Sequence, residues 1–358
     1  MDKSIVYVIE DKINALDFLI SNAQDKDKIY YKYMKMNLLK LLRCYGVNRS
    51  ISNFNDDLEM NLFLHEKDDR IIHTLFSSRD ILYKITDVIV DYLNSNPVYP
   101  ISAQNYCKID NNKIIEGMIK NNGLQDIYEE YKYSEIIDFN KTDIKEIRGY
   151  SSFYNLLDLK GNHLIYINEY YDDVKGLTKY AHEYGHFLSD YYLNFDIKKI
   201  TQKNIAYNEI ISEIMYYKMR DYLNKCNIID NKIFTHECNS FTVDSIVLYI
   251  FSHYDIDYND QELLEVIKED IKYKYPKMNI NITYLSNDRV IYAFMYLIAQ
   301  YIGKIYAEEE KPVIEAKNAL FMDINNLEEL FKIINIDINN LYDKKTIENN
   351  LEKILIKK

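Results

Sequence analysis

A chain of 358 residues with only 8 Gly and 4 Pro is long enough for one large core or two smaller ones, and it is too poor in turn-formers for a sandwich or barrel. A mainly helical fold is expected. The formal net charge of −12 excludes the positive surface that nucleic-acid phosphates require, although an acidic groove for basic peptides and a plain solvated acidic surface both fit it.

The first eight residues are followed at once by Glu10, Asp11 and Lys12, which interrupt the apolar run a secretion signal needs. A cytoplasmic protein is expected. Helical spacing follows from Lys12 to about Leu93: Ile13, Leu16, Leu19 and Ile20 share a face, and Lys28 to Tyr45 repeats the pattern up to a C-cap at Gly46. A further helix is predicted from Asp80 to Leu93, ending at the Asn94-Ser95-Asn96-Pro97 break. Residues 1–140 thus read as an N-terminal helical region, and 141–358 as a second, catalytic domain.

In the second region the period changes. Tyr154 to Asp158 and His163 to Asn168 read as short strands of a β-hairpin around Lys160-Gly161-Asn162. Asp172 or Asp173 then offers an N-cap to a helix that runs to about Leu193, and another helix spans about Asn204 to Leu223. The apolar stretches Ser245 to Phe251 and Tyr292 to Ile302 are shorter than the ~20 residues that span a bilayer, so no membrane segment is predicted. Cys44, Cys107, Cys226 and Cys238 have no paired spacing, and buried free thiols are the expectation.

The chemistry concentrates at His182-Glu183-Tyr184-Gly185-His186. On a helix, histidines four apart lie one turn from each other on one face, so both imidazoles can meet one metal ion, with Glu183 beside them within reach of a water. A hydrolytic zinc ion needs a third protein ligand and an open position. Glu209 and Glu213, one turn apart on the next helix, are the candidates, and spacing alone does not choose between them. His65-Glu66 and His236-Glu237 begin in the same way, lack the second histidine, and read as solvated surface.

Ala181 to His186 with Tyr191-Tyr192, and Glu209-Ile210-Ile211-Ser212 downstream, resemble the zinc helix and third-ligand segment of the oligoendopeptidase F and thimet oligopeptidase family. The resemblance extends from about Arg148 to Leu351 and favours Glu209 over Glu213. It implies a helical zinc-peptidase fold with a small sheet beside the zinc helix and a substrate cleft. Three departures stand out. Only 181 residues precede His182, so part of the family's lid is expected to be missing. Ser189 replaces a common histidine, and the C-terminal His and Tyr cluster that polarises the scissile carbonyl is matched only by Tyr292 and Tyr296, with Asp288-Arg289 near the histidine's place.

These readings combine into a zinc endopeptidase acting on oligopeptides, with one Zn2+ held by His182, His186 and Glu209. Glu183 acts as general base, and Tyr292 or Tyr296 donates to the oxyanion unless both are core packing. Arg289 fits either a substrate carboxylate or a surface salt bridge. Asp190 fits a support for a ligand imidazole or, preferably, an ordinary helix charge. The strand from His163 to Asn168 fits pairing with an extended peptide or an interior place in the sheet. Two rival functions remain: a catalytically idle peptide-binding protein on the same scaffold, which the intact Glu183 disfavours, and a structural zinc protein, which the lack of a fourth Cys or His nearby disfavours.

Overall fold

The computed structural model describes residues 3–44, 70–96, 111–132, 139–141, 149–154, 162–167, 174–194, 205–228, 231–254, 260–278, 285–308 and 326–355, with 47, 280 and 282. Its helices are α1 (Lys3–Asn22), α2 (Asp25–Cys44), α3 (Arg79–Ser95), α4 (Asn111–Asn121), α5 (Gln125–Lys132), α6 (Val174–Tyr192), α7 (Ile205–Lys225), α8 (Asn231–His253), α9 (Gln261–Lys274), α10 (Asn287–Glu308), α11 (Leu327–Ile333) and α12 (Lys344–Leu355). The strands are β1 (Phe139–Lys141), β2 (Gly149–Tyr154) and β3 (Asn162–Ile167), in the order β1-β3-β2. The described chain is mainly helical.

β2 pairs antiparallel with β3, placing Ser151 opposite Ile165, and β1 pairs parallel with β3. Gly149 to Tyr154, which carries two tyrosines and a phenylalanine, forms a strand. Of the expected strand Tyr154 to Asp158, only Tyr154 lies within the described residues. The expected turn at Lys160-Gly161, the cap at Asp172 or Asp173 and the C-cap at Gly46 lie outside the described residues. β3 is the middle strand, so neither of its edges is available to an added peptide.

Compactness divides the chain into two units: Met1–Asp69, Tyr106–Lys203 and Met215–Ile228 in one, Arg70–Asn105, Asn204–Ile214 and Ile229–Lys358 in the other. Each is assembled from separate stretches of the chain.

In the first unit α1 packs on α2, and α6 lies against β2 and β3. In the second, α8 is the centre, with α3 and α10 against it and α12 against both α3 and α10. α3 shows why these helices form and stay. Ile81, Leu82, Ile85, Ile89, Val90 and Leu93 recur on one buried face, and each such side chain contributes roughly 1.5–3 kcal/mol when fully buried. Truncating Ile85 to alanine would cost about 2–5 kcal/mol. Inside that interface the hydroxyls of Thr86 and Ser252 are 3.1 Å apart, which satisfies two buried polar groups.

Asparagine ends several helices in this glycine-poor chain. Asn194, Asn227 and Asn335 have φ near +55° just after α6, α7 and α11. Asparagine tolerates the left-handed region better than other side-chain-bearing residues and so substitutes for a C-cap glycine. After α7 and α11 the next amide reaches back to close the turn, Ile228 N to the Leu223 carbonyl at 2.8 Å and Ile336 N to the Phe331 carbonyl at 2.9 Å.

The apolar stretch read as Tyr292 to Ile302 is longer in the fold. Asn287–Ala307 is long and apolar enough to cross a membrane, and 78% of that stretch is buried inside the protein. Its hydrophobicity is accounted for by packing.

Candidate metal centre

α6 is buried almost all round: Leu177, Tyr180, Ala181, Tyr184, Phe187 and Leu188 are fully covered. Among the described side chains before its last turn, those partly covered are Lys179, His182 and His186, at positions i, i+3 and i+7, which form one stripe. The two imidazoles thus sit on a face that is not fully covered. Their rings are 5.0 Å apart and nearly perpendicular. Glu183, off this stripe by one residue, is 5% exposed.

α7 supplies the carboxylate. From Ile210 to Met215 every residue is buried, and Glu209, just before that run, is half-buried. One donor atom each from His182, His186 and Glu209 lies within 4.8 Å of the others. Tetrahedral zinc with ligands at about 2.0–2.2 Å holds its donors roughly 3.3–3.6 Å apart, a spacing inside the 4.8 Å bound of this group. Two imidazole nitrogens and one carboxylate oxygen also match the donor types zinc takes in hydrolytic sites. The trio can bind a metal. Glu213, the other candidate, is buried at 6% exposure and is not in the trio.

The neighbours of the motif are apolar and aromatic. Tyr184 packs with Tyr180, Phe187 and Tyr128 at ring distances of 6.0, 5.1 and 6.4 Å. Burial pushes its phenol far above the ordinary tyrosine range, and that of Tyr192 up to about 12, so both stay protonated. Ser189, where the family pattern has a histidine, is fully buried and donates to the Gly185 carbonyl at 3.0 Å. Asp190, expected as an ordinary helix charge, is instead 4% exposed, because α6 is covered on that side too.

The remaining sequence candidates lie on α10. Tyr292 and Tyr296 are not core packing: Tyr292 is 53% exposed, Tyr296 is half-buried, and their rings lie nearly parallel, 6.3 Å apart. Arg289 forms a salt bridge with the buried Asp244 at 2.9 Å, so its guanidinium is engaged within the protein and not simply on its surface. Burial raises the Asp244 carboxyl to about 6 although Arg289 opposes the shift. Sequence reasoning missed Asp244, and no local signal marks it: its partner is 45 residues away. His65 lies outside the described residues, as does the side chain of His236.

No protein-family model matches the chain. A search of curated proteins found similarity to a probable serine/threonine-protein kinase of Dictyostelium discoideum, 24% identical over 298 residues, covering 75% of this chain and 21% of that protein. The chain itself contains no His-Arg-Asp or Asp-Phe-Gly triplet, the elements with which kinases position substrate and magnesium. Among solved structures, a putative oligoendopeptidase F from Bacillus anthracis str. Ames is similar at a TM-score of 0.48 and 13% identity, over 95% of this chain and 64% of that one. The chain thus spans about a fifth of the curated relative and under two thirds of the solved one. At this level of likeness the reading of the centre stands on the chain's own residues.

Proposed function

We propose that the protein is a zinc-dependent endopeptidase that hydrolyses oligopeptides, built on a scaffold akin to the oligoendopeptidase F family. The observation that carries this reading is the convergence of His182, His186 and Glu209 within 4.8 Å, with the carboxylate of the intervening motif residue Glu183 nearby in sequence and buried. Zinc, when bound, supplies Lewis acidity toward water and toward a peptide carbonyl.

The chain's own groups do the rest. His182 and His186 hold their nitrogens on one stripe of a helix that packing immobilises, and Glu209 adds negative charge that favours a divalent cation. Glu183 accepts a proton from the attacking water and releases it to the departing amine nitrogen, so its carboxylate begins and ends the cycle ionised. Tyr292 is exposed and Tyr296 half-buried, and a hydroxyl from either would donate to a carbonyl oxygen that gains charge. An extended substrate would add to β2, the longer of the two strands at the sheet edges, rather than to β3.

Metal content after equilibrium dialysis, combined with digestion of a mixed peptide library with and without chelator, tests the proposal. One zinc per chain and chelator-sensitive cleavage are expected. Zinc binding without cleavage would instead indicate an idle peptide-binding protein, and no zinc at all would end both readings.

A further inference from the structure

Gly303 lies inside α10, where a glycine weakens a helix relative to alanine. Its surroundings explain it. A Cβ at Gly303 would lie 2.7 Å from the Glu213 Cβ, 2.9 Å from the Glu213 carbonyl carbon and 3.0 Å from the Ile214 backbone nitrogen. Real Cβ atoms essentially never approach below 3.0 Å, and two of these three neighbours are main chain, so no rotamer change relieves the contact. The helix axis must move by several tenths of an ångström.

The point of contact sits one turn after Glu209 on the same α7. On α7 the partly covered stripe runs Glu209, Tyr216 and Arg220, and Glu213 belongs to it by spacing, yet Glu213 is buried. Gly303 lies directly against it. On α10, Gly303 falls within about 40° of Tyr292 and Tyr296 around the helix, so the face that meets α7 is also the face that carries both tyrosines.

We infer that Gly303 is a positioning residue for the metal centre: by lacking a side chain it lets α10 approach α7 at Glu213, and this approach sets the place of Glu209 one turn away. The inference rests on the zinc reading above. Metal sites require ligand placement to a few tenths of an ångström, which is the size of the displacement that any side chain at 303 would impose.

The test compares zinc affinity, measured on metal-free protein by competition with a chromophoric chelator, for wild type, Gly303→Ala and Gly117→Ala. Cobalt(II) absorption reports the coordination of the same three. Gly117 is the control because it is also helical and also meets α7, but its Cβ would touch the hydroxyl end of Tyr222, a side chain that can swing aside. The expected result is at least a tenfold loss of zinc affinity and an altered cobalt spectrum in Gly303→Ala, with Gly117→Ala like wild type.

Equal affinity of Gly303→Ala and wild type overturns the inference while leaving the zinc reading intact, as does an equal loss in both variants. A wild type that binds no zinc removes both. Should Gly303→Ala not fold, the pair Glu213→Gly and Glu213→Gly/Gly303→Ala decides: the nearest atom is then gone but the main-chain contacts remain. The double variant should bind zinc more weakly than Glu213→Gly alone, and equality overturns the inference.

Discussion

Two histidine neighbourhoods on helices, each with a carboxylate at hand, have opposite characters. At His253 the protein itself occupies the ring. Nδ1 is 3.0 Å from the Tyr249 carbonyl and 3.0 Å from the Ser252 hydroxyl, Nε2 faces Asp87 at 3.6 Å, and the imidazole is stacked between Tyr83 and Tyr249 at 4.0 and 3.8 Å. Lys274 completes this cluster, donating to the Tyr249 hydroxyl at 2.9 Å. At His182 and His186, one donor atom from each ring and one from Glu209 gather within 4.8 Å of one another. A carboxylate near a histidine therefore says little; what marks a candidate metal centre is several donors of the right type gathered within one short radius.

The contrast is most sharply tested at the carboxylates. Replacing Glu183 by Gln should lower peptide cleavage by about 10²–10⁴-fold while one zinc per chain stays bound, whereas Asp87→Asn should leave the turnover rate near wild type. Next come the histidines themselves. His186→Ala should weaken zinc binding by at least ~10²-fold, and His253→Ala should keep full zinc content but lose about 2–4 kcal/mol of unfolding free energy in urea titrations. Loss of zinc from both variants would erase the distinction.

Smaller effects sharpen it. Tyr83→Ala removes one face of the stack and should cost about 1 kcal/mol in the same titration, with zinc affinity unchanged. The pH response is subtler. Burial lowers the His253 pKa below its ordinary value near 6.5, despite the opposing Tyr249 carbonyl and Asp87. The native state then binds fewer protons than the unfolded chain, so the stability His253 contributes is present above about pH 6.5 and is lost as pH falls through the lower native value. His253→Gln should flatten the decline in unfolding free energy between pH 7 and 5, and an unchanged slope would contradict the assignment.

The motif helix was legible because its signal is local: i and i+4 on one helix is a property of five residues, and the structure places His182 and His186 on one stripe as that spacing requires. Spacing alone left the choice between Glu209 and Glu213 open, since both share a face of α7; the fold groups Glu209 with the histidines and buries Glu213. Asp190 and Asp244 were illegible for the same reason. Charge patterns describe a helix in isolation, whereas both residues are buried by elements distant in sequence. The break at Asn94-Pro97 follows from turn chemistry, and α3 ends there at Ser95.

The long apolar α10 carries a consequence for biosynthesis. Both α3 and α8 leave the ribosome before it, and α8 packs directly on it, whereas α12 follows about 36 residues later. A greasy segment that would suit a bilayer thus emerges when one of its protein partners already exists, which shortens the interval in which chaperones, insertion machinery or other nascent chains compete for it.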